Sequence, residues 1–453
     1  MQSTRMAFVI VVLGSLFAYI GDARSHPEVD CAAAPYMAWS IVRHGSLDLR
    51  HYPDMKQYLG NVVREMPDGS WLSMRSPGSA LAAVPFVLPL ALTRDAPPSA
   101  QTMHQIGKLA AATSVAWAAG LFFVVCRRLA PTAAWPATIL LALGTCLCSV
   151  ASQALWMHGP ATLWLCAALY LLTRPDGDRF QMNLLAGLAF GLAILTRPTT
   201  ALFGAATGLS CLVQRRWSAA GGLLLGVVGP LTYYCWLNDH QFGHALLGGY
   251  AADDWSTSPP LWMGVTGLLI APSRGMLVYS PALVLVPVGV YLVARRSETV
   301  GSHRGLIVAW LVAAAATVVF YARWHDWRGG WCYGPRFLCE TMPLFCLLFA
   351  VGYDRLTPNW PRYAARGLVA LSVGVHLVGL FGYGKGYVDW HNRHDLYDDG
   401  KCLFAVRDTQ IEAHVRFVVR EAATRLAIVP RTPRPTQQDQ PHAKNLTDHP
   451  PNF

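Results

Sequence analysis

Residues 129–173 read LAPTAAWPATILLALGTCLCSVASQALWMHGPATLWLCAALYLLT, and none of these 45 positions is Asp, Glu, Lys or Arg. A helix that crosses a bilayer needs about 20 mostly apolar residues. The stretch therefore holds two spans, with Trp156-Met157-His158-Gly159-Pro160 as the joint between them.

Further long apolar runs flank it at 109–126, 180–196, 198–214, 217–238, 275–294, 305–322, 337–353 and 367–384. With a first helix over 6–20, the count is eleven spans. That first stretch is short and follows Arg5, so a signal-peptide reading competes with a retained helix. Between it and the second span lies a long polar segment, 21–104. It contains an expected amphipathic helix over 32–44 and a short apolar piece, 79–92, carrying Pro85 and Pro89. The latter is too short to span and is expected to lie on or dip into the outer face. The fold class is thus an all-α polytopic membrane protein. A transmembrane domain is expected over 1–386 and a tail over 387–453, which opens with an amphipathic helix near 411–428 and ends as a disordered Pro/Gln/Thr-rich string.

Composition agrees. Of 453 residues, 53% are hydrophobic and only 14% charged, against about 25% charged in ordinary soluble domains, and the mean hydropathy is +0.31. Such a chain has too little polar surface for a large soluble enzyme or a disordered scaffold. The net charge of +10 invites a nucleic-acid reading, but basic residues in a membrane chain collect on cytoplasmic turns and beside anionic lipid. Nucleic acid is not an expected partner; membrane lipid is. Seven of the eleven cysteines sit inside apolar runs, where Cys behaves as a small hydrophobe. Cys31, Cys332 and Cys402 are placed to face an oxidising compartment.

Twelve arginines fall on alternate short turns, at 127/128, 174/179, 215/216, 295/296/304 and 355/362/366, and only five on the opposite turns. The positive-inside rule then puts the N-terminus in the cytoplasm and the 21–104 loop and the tail outside.

The five exceptions are Arg197, Arg274, Arg323, Arg328 and Arg336. Charge at a membrane edge is costly and often functional, although contact with lipid headgroups is the plainer reading for any one of them. A guanidinium fork suits a lipid-linked phosphate, which makes Arg197, Arg274 and Arg336 candidates. Asp30, next to the 32–44 helix, is a candidate general base or simply a helix cap. His158 lines a cavity or hydrogen-bonds a helix end. Asp326 lies among Trp324, Trp327 and Trp331 and either binds sugar hydroxyls or pairs with Arg323 or Arg328. Tyr333 belongs to the same Gly- and aromatic-rich loop, and Glu340 either faces the cavity or pairs with Arg336.

The ordered series DCAAAPYMAWSIVRHGSLDL, DGSWLSMRSPGSALAAVP, SQALWMHGPATL, GLAFGLAILTRP, APSRGMLVYSP and WHDWRGGWCYGPRFLCETMP resembles bacterial integral-membrane glycosyltransferases of the C-type (GT-C) fold. It is most similar to the dolichyl-phosphate-mannose-protein mannosyltransferase-like group, over about residues 6–350. The resemblance implies a GT-C bundle whose first extracytoplasmic loop carries juxtamembrane helices and, near its start, the catalytic acid. By position that acid is Asp30, with Asp22 and Glu28 in reserve. It further implies an inverting displacement from a polyprenyl-phosphate sugar donor to a lipid, protein or glycan acceptor, at the outer face of the bacterial inner membrane. Two departures stand out. Met74 occupies a position that is often lysine in S-K-x-x-P-G relatives, which leaves Arg75 beside it as the candidate for the donor phosphate. Cys31 follows Asp30 where many relatives have an acidic pair, so no cofactor or metal is expected, with divalent-metal dependence left open. The competing function is a non-enzymatic transporter or flippase for a lipid-linked glycan, disfavoured by the lack of internal repeats and of midplane charge.

Overall fold

The computed structural model describes residues 2–22, 29–246, 248–249, 259–295, 301–394 and 400–426. Its helices, in chain order, are α1 (Gln2–Ile20), α2 (Val29–His44), α3 (Gly78–Ala91), α4 (Ala100–Leu129), α5 (Ala134–Leu143), α6 (His158–Leu172), α7 (Phe180–Thr196), α8 (Ala201–Val213), α9 (Trp217–Phe242), α10 (Leu261–Ile270), α11 (Met276–Tyr279), α12 (Val286–Ala294), α13 (Arg304–Arg323), α14 (Met342–Asp354), α15 (Trp360–Phe381), α16 (Lys385–Arg393) and α17 (Gln410–Arg425). The strands described are a short antiparallel ribbon, β1 (Val63–Glu65) and β2 (Trp71–Ser73), in the first loop.

Six helical stretches among the described residues are long and apolar enough to cross a membrane: Ser3–Ile20, Ala100–Leu129, Trp217–Phe242, Gly301–Arg323, Arg336–Asp354 and Trp360–Phe381. The other five expected spans are shorter apolar helices, Pro131–Leu143, His158–Leu172, Phe180–Thr196, Pro198–Val213 and Pro281–Ala294. They are shortened where proline or glycine interrupts the ladder. The opening 45-residue run is one such case. Its first helix stops at Gly144, passes through a π-turn over Leu147–Ala151, and the second starts at His158. The apolar helix α10 was not among the expected spans; ten residues are too few to stand out from loop sequence.

Local chemistry accounts for several helix ends. The Ser99 hydroxyl caps α4 by accepting from Thr102 N, and Arg127 and Arg128 occupy its last turn, where the helix dipole favours cations. Thr409 and Glu412 form a reciprocal capping box at the start of α17. Helix α9 ends on Gly243, whose left-handed φ of +74° costs glycine little.

Packing between α7 and α9 is the most extensive of any helix pair. It depends on backbone contact. A methyl added at Gly187 would meet the Leu223 carbonyl oxygen at 2.2 Å, and one at Gly226 would meet that of Leu184 at 2.1 Å. Small residues at four-residue spacing serve this purpose in lipid, where van der Waals packing replaces the hydrophobic drive. Large apolar side chains such as Phe17, Leu224 and Val312 remain on outer surfaces, as a hydrocarbon-facing bundle requires.

Two expectations are corrected. Helix α2 is not amphipathic: every residue from Cys31 to Ser40 is buried, because α3 and α4 cover it. Asp30 does not precede this helix but lies in its first turn. The 79–92 piece, expected to be too short to span, is a continuous 14-residue helix, α3, packed on α2 and α4 despite its two prolines. Helix α17 matches the expected one near 411–428. The Pro/Gln/Thr-rich string beyond it, and Glu28, lie outside the described residues. The cysteines of the apolar runs are buried, apart from the half-buried Cys235.

Candidate functional site

Three segments far apart in sequence meet at Asp30. Helix α2 supplies the aspartate, the turn after β2 supplies Arg75, and the turn leading into α14 supplies Arg336. Arg75 donates from Nη2 and Nε to Asp30 Oδ1 at 2.6 and 3.1 Å, and Arg336 donates from Nη1 to Oδ2 at 3.0 Å. Burial alone pushes the Asp30 carboxyl up. The two guanidiniums outweigh it and hold the group well below the ordinary carboxylate range. About a quarter of the Asp30 side chain still reaches solvent, so the trio is open to a ligand. One carboxylate between two guanidiniums leaves net positive charge there. Arg336 is further held between the faces of Trp156 and Phe337, at 4.5 and 5.2 Å from the ring centroids.

A second cluster is sealed. Glu340 Oε1 pairs with Arg197 Nε at 3.1 Å and accepts from His158 Nδ1–H at 2.8 Å. Arg197 also donates to the Tyr321 hydroxyl, which lies 3.1 Å from Thr199 Oγ1. All three ionisable side chains are at most 7% exposed. Phe337 links the two clusters, because the Arg197 guanidinium lies 5.8 Å from the ring that Arg336 also flanks. The expected Glu340–Arg336 pair is thus replaced by Glu340 with Arg197 and His158. Removing one partner of a buried pair leaves the other charge uncompensated, at a cost of about 3–5 kcal/mol. Glu340→Ala should lower the thermal midpoint of the purified protein markedly, and Arg197→Leu added to it should recover part of the loss. An unchanged melt would show that the pair is not structural.

The remaining expected residues lie on the loop between α13 and α14 or behind it. Trp327 and Tyr333 are buried packing residues, the latter donating its hydroxyl to Val375 O. Trp324 is half-buried, with its ring against His325. Asp326 Oδ1 is buried without a hydrogen-bond partner, as are His325 Nδ1, Arg328 Nε and Arg336 Nε. Burial pushes the Asp326 carboxyl above its ordinary value, against the opposing charge of Arg336. Asp326 therefore makes neither of the salt bridges weighed for it. Arg274 does not join the Asp30 trio. Its guanidinium donates to the carbonyls of Cys332, Gly330 and Gly334. It is a buried scaffold for the loop, and its burial among carbonyls was not readable from its place at a helix mouth.

Trp156, Phe337, Tyr321 and Gln410 are the residues at these clusters that the sequence reading passed over. Trp156 lies two residues before the quoted His158 and Phe337 directly after Arg336 in the motif series, which was the available signal; Tyr321 and Gln410 carried none. A small cleft beside Arg75, roomy enough for about one water, is lined by Ser73, Ser76, Tyr234 and Asn238. A larger cavity of about 300 Å³ lies elsewhere, between Arg174, Asn183, Thr207, Gln214 and His303, and contains none of the expected residues. Among the described residues no three His, Cys, Asp or Glu side chains converge as a metal site would require.

No protein-family model matches the chain, and no curated protein matches it by sequence. Solved structures do. ArnT from Cupriavidus metallidurans bound to undecaprenyl phosphate superposes with a TM-score of 0.56 at 16% identity, covering 93% of this chain and 72% of that one. The same protein in the apo state gives 0.54 at 17% identity, covering 92% and 76%. At this identity the likeness establishes the fold: the chain has the GT-C-type membrane bundle of ArnT.

Proposed function

We propose that the chain is a membrane glycosyltransferase that moves a sugar from a polyprenyl-phosphate donor to an acceptor hydroxyl at the outer face of the bacterial inner membrane. The observation that carries this reading is the Asp30 carboxylate clamped by Arg75 and Arg336 at a partly open position. It brings together the two groups that such a transfer needs, a base for the acceptor and cations for the phosphate. The GT-C neighbour bound to undecaprenyl phosphate supports the donor class.

The chemistry follows from the charges. Without donor, the two guanidiniums make Asp30 a weak base. A donor phosphate competes for the same N–H groups, and as they turn to it the Asp30 carboxylate regains basicity. Asp30 then takes the acceptor hydroxyl proton while the acceptor oxygen bonds to the anomeric carbon. The bond from that carbon to the phosphate oxygen breaks, and its electron pair leaves with polyprenyl phosphate, whose negative charge Arg75 and Arg336 stabilise. A single displacement inverts the anomeric centre. The unpartnered Asp326 carboxyl is suited to a sugar hydroxyl. Arg197, Glu340 and His158 form the wall behind Phe337.

The test uses purified protein in liposomes with undecaprenyl phosphate carrying a labelled sugar. Transfer of label to a lipid, peptide or glycan acceptor, with one undecaprenyl phosphate released per sugar, is the expected result. Movement of intact donor across the bilayer without cleavage would sink it and favour the flippase reading.

A further inference from the structure

Helix α17 begins at Gln410, and this side chain is fully buried. Its Nε2 donates to Cys332 O at 2.7 Å, and its Oε1 accepts from Gly334 N at 3.1 Å and from the Tyr279 hydroxyl at 3.0 Å. Its backbone N donates to Ser273 Oγ at 3.2 Å. One residue of the C-terminal segment thus ties the turn between α10 and α11 to the loop before α14. Arg274, beside Gln410, holds the same loop, donating to Gly330 O at 2.6 Å, to Gly334 O at 3.2 Å and to Gln410 Oε1 at 3.4 Å. Gly330 and Gly334 have φ of +58° and +72°, a backbone course that L side chains rarely adopt. Helix α16 adds His391, whose ring stacks on Trp331 at 5.1 Å and whose Nε2 accepts from Arg274 Nη2. His414 of α17 packs on Tyr333 at 4.3 Å. Arg336 follows Gly334 by two residues, so whatever fixes the loop also fixes where Arg336 meets Asp30.

We propose that α16 and α17 form a strap that completes the site, with Gln410 as the positioning residue that holds the 330–336 loop and presents Arg336 to the donor phosphate. Gln410 acts through the loop. In its kinetic consequences the inference rests on the sugar-transfer reading; in its structural consequence it does not. Misplacing a binding group by about 1 Å can cost as much as a hundredfold in rate.

The experiment compares full-length wild type, Gln410→Ala, Arg336→Ala and the double variant in lipid nanodiscs. Gln410→Ala should raise amide exchange in peptides covering 329–336 by about tenfold while peptides from α4 stay at wild-type rates. It should also weaken undecaprenyl phosphate binding about tenfold, close to 1.4 kcal/mol. In the Arg336→Ala background the same change should cost less than about twofold, because the group that it positions is gone. Unchanged loop exchange, or an equal loss in both backgrounds, would overturn the proposal. If Gln410→Ala does not fold, Gln410→Glu serves: it keeps the accepting oxygen, loses the bond to Cys332 O, and should move each readout the same way by about threefold. A wild type that binds no undecaprenyl phosphate defeats the functional reading, while loop exchange still decides the strap.

Discussion

Asp30→Asn should cut sugar transfer by about a thousandfold, in the range expected when a general base is removed, yet leave undecaprenyl phosphate binding intact or tighter. The two effects point in opposite directions because Asp30 has two roles. In the free protein it occupies the N–H groups of Arg75 and Arg336; in the proposed reaction it takes the acceptor proton. Asparagine is nearly the same size and still accepts a hydrogen bond, but it carries no charge to compete with phosphate and no basicity. Folding stability offers a second readout. A carboxyl held below its ordinary value contributes stability that is fully present above about pH 4, the unfolded value, and is lost as the pH falls below it. Thermal scans should show wild type exceeding Asp30→Asn near pH 7 and the margin closing as the pH falls below about 4. Retained transfer activity in Asp30→Asn would remove the catalytic assignment, and weakened phosphate binding would remove the competition argument.

Arg336→Ala should weaken donor binding by roughly 10–100-fold, the worth of a charge-assisted hydrogen bond of about 1.5–3 kcal/mol, and change acceptor affinity far less. Arg336 is the better choice over Arg75 for this test, because its guanidinium is set between Trp156 and Phe337 and is 10% exposed. A pre-set fork loses little freedom when it binds phosphate. Arg336→Lys should recover only part of the loss, since an ammonium restores charge but neither the fork nor the stacking. Arg274→Ala provides the contrast. It too should weaken donor binding, but by releasing the loop carbonyls, so its effect should come with faster exchange over 329–336. Equal loss of donor and acceptor affinity in Arg336→Ala would count against a phosphate role.

The bundle could be read from the sequence because the signal was long and repeated: uncharged runs, separated by turns whose arginines alternate in number. What escaped was short or three-dimensional. Helix α10 has ten residues, below the length at which hydropathy separates a helix from a loop. Helix α2 looked amphipathic because Ser40, Arg43 and His44 interrupt the otherwise apolar stretch 32–44. Its small residues, Ala32, Ala33 and Ala34, proved to be contact points for neighbouring helices. At the site, Arg336 was picked out by charge on an unusual face, Asp30 by its place beside a helix and by the family resemblance, and Arg75 by its place in the family motif; proximity is what the structure adds. Arg274 carried the same signal as Arg336 and sits among carbonyls instead. Gln410 carried none, because a neutral residue at a helix start is ordinary until its partners are known.

The sealed trio of Arg197, Glu340 and His158 has a consequence for biogenesis. Its members enter the membrane at different moments of synthesis: His158 and Arg197 with α6 and the end of α7, and Glu340 only with the turn into α14. An arginine left without the partner of its buried pair is uncompensated, at a cost of about 3–5 kcal/mol. A nascent chain that has released α6 to α9 therefore waits with Arg197 unsatisfied until the C-terminal third arrives. Ribosome-bound chains ending before residue 336 should be open intermediates that need protection at the insertion machinery, and final closure of the bundle should be a late, cooperative event.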